Sequence, residues 1–535
     1  MLPAEAYEST HAGRGVIAAP HHLAVEAGRE VLAEGGNALE AMVAAAAAIA
    51  VVYPHMNHVG GDGFWLIREP SGRVRYLEAC GFAGARATIS AYHELGFDAV
   101  PFRGPHAAVT VPGALAGWAL ALEAARAHGG RMTVRRLLEP AIRFAREGVP
   151  VSRSQAQLTA AKKAELENAP GFAATFLRDG AVPGIGSLQR QPRLADTLDH
   201  LSAAGLADFY RGDVGREIAA DLERIGSPVT RQDLTSFAAR ERAPLEVKLG
   251  RARVFNAPPP TQGLASLLIL GLFDRLNVAR AESFEHVHGL IEATKRAFLV
   301  RDRVVSDPDA MTLDPASFLT PDALAKRAAG IDMRRALEWP HSGHAGDTVW
   351  LGAADISGLA VSYIQSIYFE FGSGCVLPAT GVLMQNRGAS FSLDPKALNP
   401  LKPGRRPFHT LNPALAELAD GRILAYGTMG GEGQPQTQAA VFTRHALFGV
   451  PLAEAIARPR WLLGRTWGDN ATNLKLEARF EGELADRLAS AGHDLVVLAE
   501  DYTDLMGHAG GVVLHPDGRL EGAHDPRADG GAAGV

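Results

Sequence analysis

The alternating run that begins at Asp347 constrains this chain more than any other stretch. Asp347–Asp355 (DTVWLGAAD), Leu359–Phe369 (LAVSYIQSIYF) and Gly381–Asn386 each alternate with the period of two that marks a strand, and glycine-bearing turns separate them. A three-residue loop, Ile356-Ser357-Gly358, with Gly358 left-handed, pairs Asp355 with Leu359. Thr348 then lies opposite Ser366, so two hydroxyls face each other at the far end of a hairpin. A slip of one residue would send Ser366 to the other face.

Ahead of this hairpin the chain reads mainly as helices with short strands between them. Ala38–Tyr53 is almost wholly apolar, but it is shorter than the ~20 residues a membrane-spanning helix needs and it contains Glu40. It predicts a buried core helix with Asn37 as its N-cap, the alanines allowing close backbone approach. A helix from Glu139 ends at Gly148, another ends near Gly226, and Thr230 caps the next. Pro258–Pro260 form a rigid lead-in to an apolar helix. Residues 311–347, rich in proline and charge with one short helix announced by Thr320 and Pro321, read as a connector and the best boundary in the chain.

With 53 basic and 59 acidic residues interspersed, the net charge is −6, which leaves no electropositive footprint for nucleic acid. At 535 residues the chain has room for two to four average domains or one large layered body, and its 47% hydrophobic content is enough for a sizeable core. Two cysteines, Cys80 and Cys375, suit a reducing compartment, and the N-terminal residues lack the basic-then-apolar pattern of a signal peptide. The expectation is a cytoplasmic protein without a membrane partner.

Thr348 is a poor nucleophile as a plain side chain, and by local sequence alone it is a strand residue with good β propensity. Were the chain cut between Asp347 and Thr348, the new α-amine, with a pKa of ~7.7–8.0, would place a base on the same residue as the hydroxyl. Downstream, Gly430 and Gly431 in YGTMGGEGQPQTQ permit close backbone approach to a ligand, as a site for a tetrahedral oxyanion requires; a plain loop would explain the pair equally. The segment lacks the strand-turn-helix context of a dinucleotide fingerprint, and no phosphate-loop motif occurs. Two H-x-x-H spacings, His55/His58 and His341/His344, have no evident third ligand, so no metal and no cofactor is expected.

Taken together, EGGNALEAMVAAAAAIAVVYPHMNHVGGDGFWLI, TVPGALAGW, EPAIRFAREGVPV, FYRGDVGREIAADL, NAPPPTQG, ATKRAFLVRDR, GDTVWLGAADISGLAVS, FGSG, GTMGG and GAHDPR resemble the γ-glutamyltranspeptidase family of N-terminal-nucleophile hydrolases, in family order over nearly the whole chain. The resemblance implies an α+β, four-layer αββα fold, two stacked antiparallel sheets flanked by helices. It implies a proenzyme cleaved by itself into residues 1–347 and 348–535, which stay together as one globular body. Thr348 becomes the nucleophile, Ser366 its supporting hydroxyl, and Gly430 and Gly431 the oxyanion-hole pair.

The head-group positions depart from γ-glutamyl enzymes. The arginine expected for an α-carboxylate falls near Cys80, with Arg86 nearby; Tyr368 and Ser390 replace groups that hold an α-amine; His409 and Thr410 stand where a serine pair is usual. SIYFEFGSG, QNRGASFS and RRPFHTLNP resemble instead the branch with oxamate amidohydrolase and cephalosporin-acylase-like enzymes. There Arg387 would pair with a substrate carboxylate. The leading expectation is a threonine amidohydrolase acting on a small carboxylated amide, oxamate first. The alternatives are a γ-glutamyl hydrolase or transferase acting on glutathione-like or glutaryl-amide substrates, and an unprocessed, non-catalytic family member. Pairing of two such two-chain units is left open.

Overall fold

A computed structural model describes residues 8–339, 347–464, 472–480 and 482–535. Two seven-stranded sheets, every neighbouring pair antiparallel, stack face to face. One runs in the order Gly531–Gly534, Gly15–Ala19, Asp347–Asp355, Ala360–Tyr368, Asp62–Arg68, Val74–Ala79, Arg240–Arg242. We call it the hairpin sheet. The other runs Thr10–Ala12, Leu520–His524, Ala509–Leu514, Ile423–Thr428, Ala414–Leu418, Ala252–Asn256, Leu245–Lys248.

The alternation of the hairpin is spent on two different cores. Val349, Leu351, Ala353, Val361 and Tyr363 face the helices, packing with the helix Ala38–Val52. Trp350, Ala354, Ala360 and Ile364 face the second sheet, meeting Phe255, Leu415 and Val512. A third apolar body forms where Gly263–Phe273, Phe284–Val304 and Gln434–Phe442 cover the outer face of the second sheet. Helices, sheet, sheet and helices thus make the four-layer arrangement.

The helix Ala38–Val52 is buried on all sides. Asn37 and Glu40 form a capping box at its N-terminus, and the carboxylate of Asp355, at the hairpin turn, accepts the amide of Ala38 at 2.7 Å. One turn residue therefore fixes the helix against the sheet.

Three sequence readings are modified. Gly381–Asn386 makes no strand: Leu383 and Met384 join only isolated bridges, and the Leu383 amide donates to His58 Nδ1 instead of extending a ladder. The helix expected from Glu139 starts earlier, at Val134 behind the cap Thr133, and carries Pro140 within it. The connector is no domain boundary, because the strands after it enter the same two sheets as those before it. Leu319, Leu324 and Ala328 bury against the outer core, and Leu337 is tied down by Glu292 and Lys295. Cys80 and Cys375 are both free and buried. Among the described residues no helix is long and apolar enough to cross a membrane.

Candidate active site

The hairpin ladder keeps the register set by the Ile356-Ser357-Gly358 turn from Ala354↔Ala360 to Val349↔Gln365, then shifts by one so that Asp347 pairs with Tyr368. Ser366 and Ile367 together oppose Thr348, a β-bulge at the sheet's end. On the next strand Asp62 is the direct partner of Ser366. By the strand period, Thr348, Ser366 and Asp62 point the same way as Trp350, Ile364 and Phe64, toward the second sheet. All three are buried. They form a row across three strands, with Thr348 and Asp62 about 10 Å apart by strand spacing.

Ser366 Oγ accepts the amide of Tyr368 at 2.8 Å, closing the bulge, and Tyr368 sits at φ 84°, where a residue with a side chain is strained. Beyond that turn the Tyr368 ring lies against Phe369 and under the Arg387 guanidinium. Gly61 lets its backbone approach Ser366 closely: a Cβ there would stand 2.1 Å from the Ser366 carbonyl oxygen.

The second sheet supplies the opposing wall. Strand Ile423–Thr428 runs into Gly430 (φ 117°) and Gly431 (φ 51°), which introduce the helix Gln434–Phe442. The Gly430 carbonyl accepts from Gly433 at 2.8 Å, so peptide planarity turns the Gly431 N–H the opposite way. Gln434 Nε2, one turn on, donates to Thr348 Oγ1 over 3.4 Å, while its Oε1 accepts the Asn412 amide. Gln262 Nε2 braces the loop, donating at 2.8 Å to the carbonyls of both Gly431 and Thr410, and Arg301 holds Gln262 Oε1 and Glu432.

Arg387 opens a short turn, Arg387–Ser390, and is 1% exposed. Its Nη1 donates to Thr410 Oγ1 at 3.3 Å, and its Cζ lies 3.8 Å from the Tyr368 ring centre. Nε and Nη2 have no hydrogen-bond partner among the described residues. Burial pushes the guanidinium down to about 10, so it stays charged at neutral pH. A buried cation with two open donors is costly unless an anion completes it.

His409 Nε2 lies 3.3 Å from Asp62 Oδ2, without hydrogen-bond alignment, and the ring stands edge-on to Phe64. Asp62 Oδ1 accepts the amides of Gly81 and Gly113 at 3.1 and 3.0 Å. Burial nevertheless pushes its carboxyl up to about 7, against the pull of Arg387. Burial, and secondarily Arg387, hold the His409 imidazole well below its usual range.

The structure therefore gathers Thr348, Ser366, Tyr368, Arg387, His409 and Thr410 with the Gly430–Gly431 loop at one end of the sandwich. Ser390 shares the Arg387 turn, but its hydroxyl donates to the carbonyls of Arg387 and Phe408, bracing backbone. Arg86 is elsewhere, exposed and paired with Glu223. Asp62, Gln262 and Gln434 were missed in the sequence; the only sign of Asp62 was a charge between glycines at the head of an apolar strand.

The histidine pair that can be placed has local partners: His55 Nε2 meets Ser154 Oγ at 3.0 Å, and His58 accepts from Leu383. His341 and His344 lie outside the described residues. His288, Glu292 and His493 do converge, but Lys295 Nζ sits 2.8 Å from Glu292 and 3.5 Å from His493, an ammonium where a metal would go.

The gamma-glutamyltranspeptidase family model matches residues 24–535. An oxamate amidohydrolase proenzyme of Klebsiella pneumoniae is 54% identical over 98% of this chain and 99% of its own. A glutathione hydrolase-like proenzyme of Bacillus subtilis is 39% identical over 97% and 98%. The crystal structure of cephalosporin acylase from Bacillus halodurans superposes with a TM-score of 0.90 at 32% identity, covering 99% of this chain and 97% of that one. A stacked-sheet fold, proenzyme relatives and a whole-chain family match agree: this chain belongs to the γ-glutamyltranspeptidase family and is a hydrolase of the N-terminal-nucleophile class.

Proposed function

We propose that the chain cleaves itself between Asp347 and Thr348 and then hydrolyses a small carboxylated amide, oxamate first, through a Thr348 acyl-enzyme. The observation that carries this reading is Arg387, a buried guanidinium with Nε and Nη2 unpartnered beside the threonine row. Two donors in a planar fork match one carboxylate. The 54% identity to a protein described as an oxamate amidohydrolase proenzyme supports the choice of substrate.

In maturation, Thr348 Oγ attacks the Asp347 carbonyl and the peptide C–N bond breaks, which frees the Thr348 amine and leaves an ester on Oγ; water then opens that ester, giving back the Thr348 hydroxyl and leaving Asp347 with a terminal carboxylate. In turnover the same oxygen attacks the substrate amide carbonyl while that amine accepts its proton. The Gly430 and Gly431 amides carry the oxyanion, Ser366 supports the nucleophile, and ammonia leaves with the proton. Water then releases the diacid. A peptide bond to Asp347 leaves Thr348 without a basic amine, so activity follows cleavage.

Denatured intact mass tests the first half: two fragments meeting at Asp347/Thr348 in the wild type and one full-length chain in Thr348→Ala. Ammonia release from oxamate, with none of the glutamate release from glutathione that a γ-glutamyl enzyme would give, tests the second. An uncut wild type would leave an inert family member instead.

A further inference from the structure

The cluster around Arg387 holds more than a carboxylate clamp needs. Asp62 Oδ2 and both ring nitrogens of His409 lack hydrogen-bond partners among the described residues, although both side chains are at most 1% exposed. Asp62 is anchored through its other oxygen by two backbone amides, and it is paired across the sheet with Ser366. Its free oxygen faces His409, and its charge is felt at Arg387. A buried acid, imidazole and guanidinium with open valences are built for a ligand whose charge they must balance.

Resting on the reading of Arg387 as the carboxylate site, we propose that Asp62, paired with His409, is a specificity-determining residue. Protonated, it lets the Arg387 pocket accept a bare carboxylate; ionised, it neutralises Arg387 and excludes one.

The charge count gives the reason. With Asp62 protonated and His409 neutral, the pocket carries one positive charge, and a carboxylate brings it to zero. With Asp62 ionised, Arg387 is already compensated, and the same ligand leaves a buried net negative charge without a counter-ion. Cys80, Tyr210 and Tyr363 are the other titratable groups that feel the Asp62 charge, and burial holds each of them neutral, so none supplies the missing charge. His409 does not supply it either, because burial, and secondarily Arg387, oppose its protonation. A carboxylate entering above about pH 7 must therefore bring a proton from solvent to Asp62.

Calorimetric titration of the processed protein with oxalate at pH 8, in two buffers of different ionisation enthalpy, reads this proton directly. The wild type is expected to take up close to one proton per oxalate more than Asp62→Asn does, its affinity falling up to tenfold more per pH unit above pH 7. Protons that the second carboxylate of oxalate draws to the Thr348 amine are common to both proteins and cancel in that difference. Arg387→Met should not bind. Equal proton uptake by the two proteins, or the same pH slope in Asp62→Asn, overturns the proposal and leaves the carboxylate reading standing. Absence of binding to the wild type, with Arg387→Met indistinguishable, overturns both.

Discussion

Replacing Arg387 with methionine separates a substrate clamp from a structural cation. The guanidinium offers Nε and Nη2 to nothing within the described residues and spends only Nη1 on Thr410. A carboxylate filling both open donors would make two charge-assisted hydrogen bonds, each worth ~1.5–3 kcal/mol, so their loss costs the transition state roughly 3–6 kcal/mol. At ~1.4 kcal/mol per decade, kcat/KM for a carboxylated amide falls about 10²–10⁴-fold. Folding responds in the opposite sense: the variant no longer buries an incompletely paired cation, and gives up the long hydrogen bond to Thr410 and a stack on Tyr368 worth ~0.5–2 kcal/mol. Methionine fills much the same volume, and self-cleavage uses no substrate carboxylate. The assay is ammonia release from oxamate alongside thermal melting and intact mass. A loss below tenfold, or a variant that melts far below the wild type, would show that Arg387 holds the structure and not the substrate.

Three further outcomes follow from the same geometry. Gly430→Ala puts a side chain at φ 117° with its Cβ 3.3 Å from Gly507 Cα; kcat should fall about 10²-fold or more with little change in KM, read by steady-state kinetics on processed enzyme. Because the Asp62 carboxyl is raised to about 7 from an unfolded value near 3.8, the folded state holds the extra proton between those limits; wild-type stability, measured by melting against Asp62→Asn, should drop as pH rises from about 4 to 7 and then run parallel. Glu292→Leu leaves the Lys295 ammonium buried beside His493 and strips the Leu337 amide of its acceptor, which should cost roughly 3–5 kcal/mol in denaturant unfolding.

The sequence carried the hairpin because a turn glycine and strict alternation leave one register that buries both faces. It did not carry the bulge. Whether Ser366 and Ile367 share one partner depends on Tyr368 folding back at φ 84°, and nothing local favours that conformation for tyrosine. Gly381–Asn386 failed as a strand because alternation records burial, and those residues are buried by loops and by His58, with no neighbouring strand to pair along. Thr348, Ser366, Arg387 and the glycine pair stand out as candidates in the sequence through whole-family likeness joined to residue chemistry. Asp62 and Gln434 escaped because their meaning lies in what crosses them: a cross-strand partner three hundred residues away in one case, a hydroxyl from the other sheet in the second. Charge between glycines and glutamine after a turn are ordinary in sequence.

The two ends of the described chain lie side by side. Arg14 donates to the Val535 carbonyl, Val535 donates back to Gly15, and Thr10 Oγ reaches the Ala532 carbonyl at 3.0 Å. The segments Thr10–Gly15 and Ala532–Val535 therefore run beside each other. A gene rearranged to start at Thr348, run to Val535, cross a linker to the segment before Thr10 and finish at Asp347 would keep every strand neighbour of both sheets. Once the initiator methionine is trimmed, such a circular permutant would be born with threonine as its first residue, so the chemistry of turnover would be separated from the chemistry of self-cleavage in a single molecule.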